Sequence, residues 1–143
     1  MRFMLLLKGD PPPGATPDEQ LIGAMVKFNE EMVNAGVLLA AEGLHSSASG
    51  ARVGYRKGQA GRTVVDGPFT ESKELIAGFM LIEVKSREEA IEWAKRCPVE
   101  YGTPEGEEAV IEIRQVAEMA ELPEATEEQR EREQRIREQF PNL

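Results

Sequence analysis

Hydrophobic residues occur along the chain as short runs and as helical repeats, separated by segments rich in glycine and proline. Residues 2–8 form an apolar run beside a proline-rich turn, which predicts a buried strand. The next apolar residues lie three or four positions apart, which predicts a helix. Thr16 suits the N-cap of this helix, with Pro17 at its first position and Glu19 completing a capping box. Gly36 suits the left-handed position at which such a helix ends.

Strands and a hairpin are predicted next. Residues 37–41 have the pattern of a strand that follows the helix directly. Residues 51–56 and 62–66 have the pattern of a strand pair joined by a glycine-containing tip. The most apolar run of the chain, residues 75–84, is typical of a central strand that is buried on both faces.

A second helix and a final strand complete the pattern. Ser86 and Glu89 form a capping box that opens a helix ending near Arg96. Its predicted inner face has Trp93 at the edge and consists of Ala90, Ile91, Ala94 and Cys97. Alternating apolar and polar residues over 109–116 predict a strand with one solvated face.

This order of elements predicts the fold. Strand, helix, strand, hairpin, strand, helix and strand form a split β-α-β pattern, so we expect an α+β domain of the ferredoxin-like kind with an inserted hairpin. Its sheet is expected to be antiparallel, with both helices on one face. The other face then has to be covered, and a second copy of the chain is the simplest partner, which predicts a homodimer.

The end of the chain differs from the rest. We place the domain boundary after residue 122 and expect residues 123–143 to form a charged helical tail. Thr126 and Gln129 suit a capping box. Three glutamate–arginine pairs lie four residues apart in the favourable order, namely Glu128/Arg132, Glu131/Arg135 and Glu133/Arg137.

The amino-acid composition restricts the kinds of molecule that this chain is expected to bind. Hydrophobic residues make up 41% of the 143 residues, which suffices for a core, and the formal net charge is −9. Residues 1–122 hold 20 acidic and 13 basic residues, so the negative charge lies mainly on the domain. This balance argues against binding to nucleic acid or to an anionic membrane. The first apolar run is too short for a signal peptide or a membrane span, so we expect a cytoplasmic protein.

The chain has a single cysteine, Cys97, and a single histidine, His45. One cysteine permits no intramolecular disulfide and no cysteine-based zinc site. One histidine permits no metal site built on several imidazoles. We therefore expect no metal site, and we interpret Cys97 as a buried, reduced thiol.

Asp66 and His45 are the candidate catalytic residues. Asp66 lies at a strand end beside Gly67 and Pro68, where a stiff corner could present its carboxylate as a general base. The alternative is that Asp66 caps the N–H groups of Phe69 or Thr70, as aspartate does in turns. The imidazole of His45 is a side chain that could serve as acid or base, or His45 is an exposed loop residue without a role.

The residues after this corner are candidates for substrate binding. Lys73 could hold a substrate carboxylate, and Glu71 could share proton transfer with Asp66. Phe69 is a candidate contact as well, although a core position suits it better. The alternative for Glu71 and Lys73 is a solvated turn with weak local ion pairs. Arg62 could also help an anionic substrate to approach the negatively charged domain.

The motif that carries a family resemblance begins at Asp66-Gly67-Pro68-Phe69. The matching positions after it are Glu71, Lys73, Glu74, Gly78, Phe79, Ser86, Glu89, Ala90, Trp93, Ala94, Cys97 and Pro98. Over about residues 1–117 the chain resembles the YCII-related family, in the subgroup known as DGPF-domain proteins. The resemblance implies a ferredoxin-like α+β domain that pairs into a dimer, an α+β barrel, around facing sheets.

The resemblance also implies some chemistry. Relatives in the wider superfamily include a dechlorinating enzyme and muconolactone isomerases, which act on small ring compounds without a metal or organic cofactor, so no cofactor is expected here. A histidine–aspartate pair is implied, for which His45 and Asp66 are the candidates. Some DGPF-domain proteins are associated with extracytoplasmic-function sigma factors, which implies a regulatory link.

Two hypotheses about function follow. The first is a homodimeric small-molecule-binding domain, acting as a cofactor-independent lyase or isomerase on a small organic acid with Asp66 as base. The alternative is a non-catalytic regulatory or interaction module linked to sigma-factor-dependent transcription. Whether the chain is an enzyme stays open at this stage.

Overall fold

Six strands and three helices form the fold in the computed structural model, which describes residues 1–140. Residues 141–143 of the predicted tail lie outside this range. Four single-turn 3₁₀ helices lie in the connections, at Ser47–Ser49, Ser72–Glu74, Val99–Gly102 and Met119–Glu121. The main elements are β1 (Arg2–Lys8), α1 (Glu19–Asn34), β2 (Leu38–Gly43), β3 (Ala51–Tyr55), β4 (Arg62–Asp66), β5 (Ile76–Glu83), α2 (Arg87–Arg96), β6 (Ile111–Gln115) and α3 (Glu127–Glu138).

The main sheet has four antiparallel strands in the order β2-β5-β1-β6. Strand β1 lies at the centre because its apolar residues pack between β5 and β6. The first two strands of the chain are thus separated by β5, as in the split β-α-β pattern. The predicted α+β, ferredoxin-like fold is confirmed.

The core lies between one face of this sheet and the two helices. Phe3 and Leu5 of β1 stand opposite Ile82 and Met80 of β5, and all four are buried. Helix α1 adds Phe28 and Met32 to this cluster, and helix α2 adds Ala90, Trp93 and Cys97. Both helices therefore cover the same face, as predicted.

Trp93 is more central than the helical pattern predicts. The indole is only 8% exposed, with its ring 6.2 Å from that of Phe28 and the Arg96 guanidinium 4.3 Å above it. The expectation of an edge position is wrong, because α2 turns this side chain towards α1. Arg96 also donates a hydrogen bond of 2.6 Å to Glu31 of α1, which closes the helix pair over Trp93.

Helix α1 begins two residues later than the sequence predicts. Asp18 is the N-cap, and its carboxylate accepts a hydrogen bond of 2.8 Å from the N–H of Leu21. The expected cap at Thr16 is wrong, because the charged carboxylate of Asp18 satisfies the free N–H groups and faces the positive end of the helix. At the other end Gly36 has φ of 74°, which confirms its predicted left-handed position.

The cap of helix α2 is confirmed in part. The Ser86 hydroxyl accepts a hydrogen bond of 3.1 Å from the N–H of Glu89. The Glu89 carboxylate accepts its bond from the N–H of Lys85 rather than from that of Ser86. The helix therefore starts where predicted, with the return bond displaced by one residue.

The predicted hairpin forms a separate two-stranded sheet of β3 and β4. Its register pairs Ala51 with Asp66, Val53 with Val64 and Tyr55 with Arg62. Directly paired residues of antiparallel strands share a face, so these six residues lie on one face of the hairpin. All ten residues of the two strands are exposed.

The face of the main sheet that lies away from the helices is apolar at its centre. Strand alternation places Met4 and Leu6 of β1 there, paired with Leu81 and Phe79 of β5. The residues beside this row are Ala40 and Glu42 of β2 and Glu112 and Arg114 of β6. This open face thus has an apolar row and a charged border.

The tail forms the predicted helix α3, and the Thr126/Gln129 capping box is present. Glu133 and Arg137 form the predicted ion pair at 2.8 Å. The other two predicted pairs are absent from the ion pairs of residues 1–140. Arg130 donates to the carbonyls of Met119 and Leu122, which binds the helix to the preceding turn.

An ion pair connects that turn to the sheet. Arg2 of β1 donates two hydrogen bonds, of 2.8 and 2.9 Å, to the carboxylate of Glu118. The Arg2 side chain is only 12% exposed. The guanidinium lowers the pKa of the Glu118 carboxyl below its ordinary value. The start of the tail is therefore fixed at the first residues of β1.

Among the described residues, no helix has both the length and the apolar character required to cross a membrane.

The position of the α1 cap leads to a first prediction. Asp18→Ala removes the acceptor for the Leu21 N–H and is expected to lower the free energy of unfolding by about 1 kcal/mol. Thr16→Ala, the matched control, is expected to leave it unchanged. Urea denaturation followed by circular dichroism measures both values. A larger loss for Thr16→Ala than for Asp18→Ala would contradict the assignment.

Candidate functional site

The candidate site is the corner that follows β4. The strand ends at Asp66, the Gly67–Pro68 peptide bond is cis, and the chain then reaches the turn Ser72–Glu74 before β5. The Pro68 ring prevents a further ladder bond here. The motif therefore occupies the junction between the hairpin and the central sheet.

Ser47 fastens this corner to the end of β1. The Ser47 N–H and hydroxyl both donate to the Asp10 carboxylate, at 2.7 and 2.5 Å. The same hydroxyl accepts a hydrogen bond of 3.0 Å from the N–H of Phe69. One serine thus joins three segments, and we call this set, Asp10, Ser47 and the Phe69 N–H, the Ser47 clamp.

The clamp depends on a charged aspartate. The two hydrogen bonds from Ser47 favour the carboxylate and lower the pKa of Asp10 below its ordinary value of 3.8. Hydrogen bonds to a charged acceptor are stronger than those between neutral groups. The clamp is therefore complete at neutral pH and weakens in acid.

Gly67 is required by a close approach of backbones. Its N–H donates a hydrogen bond of 2.9 Å to the Gly50 carbonyl. A Cβ at this position would lie 1.7 Å from the Ser47 carbonyl oxygen, far inside the contact distance. No other residue fits unless the corner moves away from Ser47.

The Asp66 carboxylate is exposed and unpaired. Among residues 1–140 it accepts no hydrogen bond and forms no ion pair within the distances that define them. Ser47 supplies the acceptor for the Phe69 N–H, so the alternative that Asp66 caps this group is wrong. The backbone of Asp66 is fixed, and its carboxylate stays free to act on another molecule.

His45 lies in the connection between β2 and the Ser47–Ser49 turn, two residues before the clamp serine. The imidazole is exposed, and no hydrogen bond joins it to Asp66 in the described part of the chain. The clamp thus brings the two segments together without pairing the two side chains. A catalytic pair of His45 and Asp66 stays a prediction.

Phe69 is half-buried, and the Arg52 guanidinium stands 3.8 Å above its ring. Strand alternation places Arg52 on the hairpin face opposite to that of Asp66. Glu71 is exposed and accepts a hydrogen bond of 3.0 Å from the Thr70 hydroxyl. Lys73 is exposed in the following turn. These side chains border the corner.

Arg62 lies too far along β4 to serve Asp66. It pairs with Tyr55 at the opposite end of the strand, and its guanidinium stands 4.5 Å from the tyrosine ring. Arg62 is therefore a residue of the hairpin tip. Arg52 is the cation that the structure places beside the motif.

Two cavities lie elsewhere on the domain. A shallow one of about 230 Å³ lies in the loop of residues 100–109. A groove of about 480 Å³ runs between α2 and β6, with Cys97 among its residues. Burial raises the pKa of this thiol to about 12, so it is inert at neutral pH, as expected of a packing cysteine. Neither cavity is bordered by Asp66, His45 or Lys73.

Within residues 1–140, no group of three or more histidine, cysteine, aspartate or glutamate side chains has the arrangement of a metal site.

Asp10, Ser47 and Arg52 are the residues of this corner that the sequence pattern did not indicate. Asp10 and Ser47 lie in loops of ordinary composition and meet only in the folded chain. Arg52 could have been found from the sequence, because it follows Ala51, the residue that pairs with Asp66 in the hairpin.

The Ser47 clamp leads to a prediction of stability and pH dependence. Ser47→Ala removes the acceptor for the Phe69 N–H and is expected to lower the free energy of unfolding by about 1 to 2 kcal/mol. Ser49→Ala, whose hydroxyl bonds only to the Ser46 carbonyl, is the matched control and should have a smaller effect. Chemical denaturation measures both.

The pH dependence of the free energy of unfolding of Ser47→Ala shows whether the charged form of Asp10 stabilises the folded chain. The pKa of Asp10 is lower in the folded chain than its ordinary value of 3.8. The charged carboxylate therefore stabilises the folded chain fully above pH 3.8, and this stabilisation disappears as the pH falls through the lowered pKa. The stability difference between wild type and Ser47→Ala should therefore shrink in acid. A difference that grows as the pH falls would contradict the clamp.

The comparisons with known proteins identify the family. No curated protein matches the chain. The family model of the YCII-related domain matches residues 1–120, which leaves residues 121–143, with the whole of helix α3, outside the match. Since this match spans most of the sequence and the fold has the expected topology, the chain belongs to the YCII-related family.

Proposed function

We propose that this YCII-related protein is a homodimeric small-molecule-binding domain that removes a proton from a small organic acid or lactone, with Asp66 as the general base. The observation that supports this proposal is that the backbone of the corner is fixed while the Asp66 carboxylate is unpaired. We also infer, from Asp66-Gly67-Pro68-Phe69, that the chain belongs to the DGPF subgroup.

The environment of Asp66 supports binding of an organic anion. Arg52 holds its guanidinium 3.8 Å above the ring of Phe69, three residues after Asp66, and so contributes positive charge at this corner. Local positive charge attracts an anionic substrate to a site on a negatively charged domain. Val53 and Val64 lie on the same hairpin face as Asp66 and supply apolar contact.

The open face of the sheet supports the dimer. Met4, Leu6, Phe79 and Leu81 form an apolar row on the sheet face away from α1 and α2, with charged residues at its border. An apolar centre with a polar rim is the ordinary composition of a protein interface. A second copy on this face would also add walls around the corner.

The proposed chemistry needs no external reactant. Asp66 removes a proton from the carbon next to a carbonyl, and the electron pair enters an enolate. The proton then returns at another carbon for isomerisation, or a leaving group departs with its electron pair for a lyase reaction. His45 is the candidate for the returning acid, and Lys73, Glu71 and Phe69 are candidates for substrate contact.

Proton exchange tests this proposal directly. A β,γ-unsaturated γ-lactone and a panel of small 2-oxo acids serve as probes in D₂O, and proton NMR follows deuterium uptake beside the carbonyl. Asp66→Asn, which keeps the size of the side chain but not its basicity, is expected to slow exchange by about a hundredfold or more. Glu74→Gln, an exposed carboxylate near the same corner, is the matched control and should retain the wild-type rate.

Equal rates for Asp66→Asn and the wild type would contradict Asp66 as the base. If the wild-type protein accelerates deuterium uptake in none of the probes, the proposed enzymatic activity is contradicted. That result supports the alternative, a non-catalytic regulatory or interaction module.

A further inference from the structure

The hairpin has a charge opposite to that of the chain. Residues 51–65, which we call the arm, hold Arg52, Arg56, Lys57 and Arg62 and no acidic residue, whereas all 26 acidic residues lie outside the arm. Three of these cations lie at the tip, and Arg62 is held over the exposed ring of Tyr55. The arm is therefore a basic projection from an acidic domain.

The arm also exposes apolar side chains. Val53, Tyr55, Val64 and Val65 are between 57% and 70% exposed. At the base of the arm, Arg52 covers the ring of Phe69. A two-stranded hairpin without further packing is at best marginally stable in water. A docking surface explains both the exposure and the charge.

The most acidic segment of the domain provides the complementary charge. Residues 100–112 hold five carboxylates and no basic residue. Only one of the five, Glu112, forms an ion pair within the described chain, with Arg114. The base-free segment and the acid-free arm thus have opposite charges and no mutual ion pair within residues 1–140.

The sheet order places these two features at one end of the domain and on opposite edges. The arm follows β2, one edge strand, and the acidic segment leads into β6, the other edge strand. The end of β2 and the start of β6 lie at the same end of the sheet, because both strands run antiparallel to their neighbours.

We propose that the arm of one subunit docks on a second copy of this chain, with its basic tip on the acidic segment 100–112 of that copy. This rests on the proposed dimer. If two sheets face each other around a two-fold axis parallel to the strands, the β2 edge of each subunit opposes the β6 edge of the other, with like ends together. The contact then occurs twice, as two-fold symmetry requires.

The arm has the length for this contact. A five-residue strand such as β3 extends about 17 Å, and facing sheets pack about 10 Å apart. The tip can therefore cross to the second subunit while the base stays at the corner. Docking would place the apolar face that carries Val53 and Val64 beside the second copy and would enclose Asp66.

Charge reversal tests the contact in the full-length protein. Arg56→Glu with Lys57→Glu is expected to raise the dimer dissociation constant about tenfold, measured by sedimentation equilibrium at low salt. Glu107→Lys with Glu108→Lys is expected to do the same. The four substitutions together should restore a value within about threefold of wild type, because the opposite charges then meet again.

The matched control is Lys85→Glu with Arg87→Glu, which changes the net charge equally at two exposed positions outside the arm. It should change the dissociation constant less than about threefold. Thermal denaturation followed by circular dichroism verifies that every variant is folded.

Several results would overturn the inference. A wild-type dimer that neither reversal weakens would remove the arm from the interface and leave the proposed dimer intact. Failure of the fourfold variant to regain affinity would show that the arm meets another surface. A monomeric wild type would overturn both the dimer and the arm contact. Micromolar binding of a DNA duplex or a glutamate-rich peptide by the arm, without dimerisation, would assign it to another partner.

Discussion

One serine side chain holds together the part of this domain in which chemistry is possible. Ser47 donates to Asp10, at the end of β1, and accepts from the Phe69 N–H, beyond the cis Gly67–Pro68 bond. These bonds satisfy polar groups of three connecting segments. Because Ser47 takes the Phe69 N–H, Asp66 is not needed as a cap, and its carboxylate is left unpaired on a fixed backbone.

The distribution of charge and apolar surface extends this account beyond one chain. The sheet face away from α1 and α2 has an apolar row with a charged border, whereas the arm exposes apolar residues and has a charge opposite to that of the domain. In the proposed dimer, a two-fold rotation that places two sheets face to face would cover the sheet face and bring the arm of each subunit to the acidic segment 100–112 of the other. The proposed catalysis at Asp66, the proposed dimer and the proposed arm contact are therefore connected, since each would place the same corner where two subunits meet.

The fold was predictable from the sequence because its signals are local. The apolar run 2–8, the alternation near β6 and the cap at Ser86 each identify an element without knowledge of its neighbours. Errors arose where two residues compete, as Thr16 and Asp18 do for one helix end, or where packing decides, as for Trp93. The clamp was not predictable, because Asp10 and Ser47 are 37 residues apart and neither belongs to a pattern. Asp66 was indicated by its motif, but only the fold shows that its carboxylate is unpaired.

Amide hydrogen exchange at the corner reports directly on the Ser47 clamp. The Phe69 and Gly67 N–H groups donate to Ser47 and Gly50, whereas the exposed Thr70 N–H has no acceptor among the described residues. NMR in D₂O should therefore show slow exchange at Phe69 and Gly67 and rapid exchange at Thr70. Ser47→Ala should accelerate exchange at Phe69. Exchange at Phe69 as rapid as at Thr70 in the wild-type protein would contradict the clamp and, with it, the fixed corner that presents Asp66.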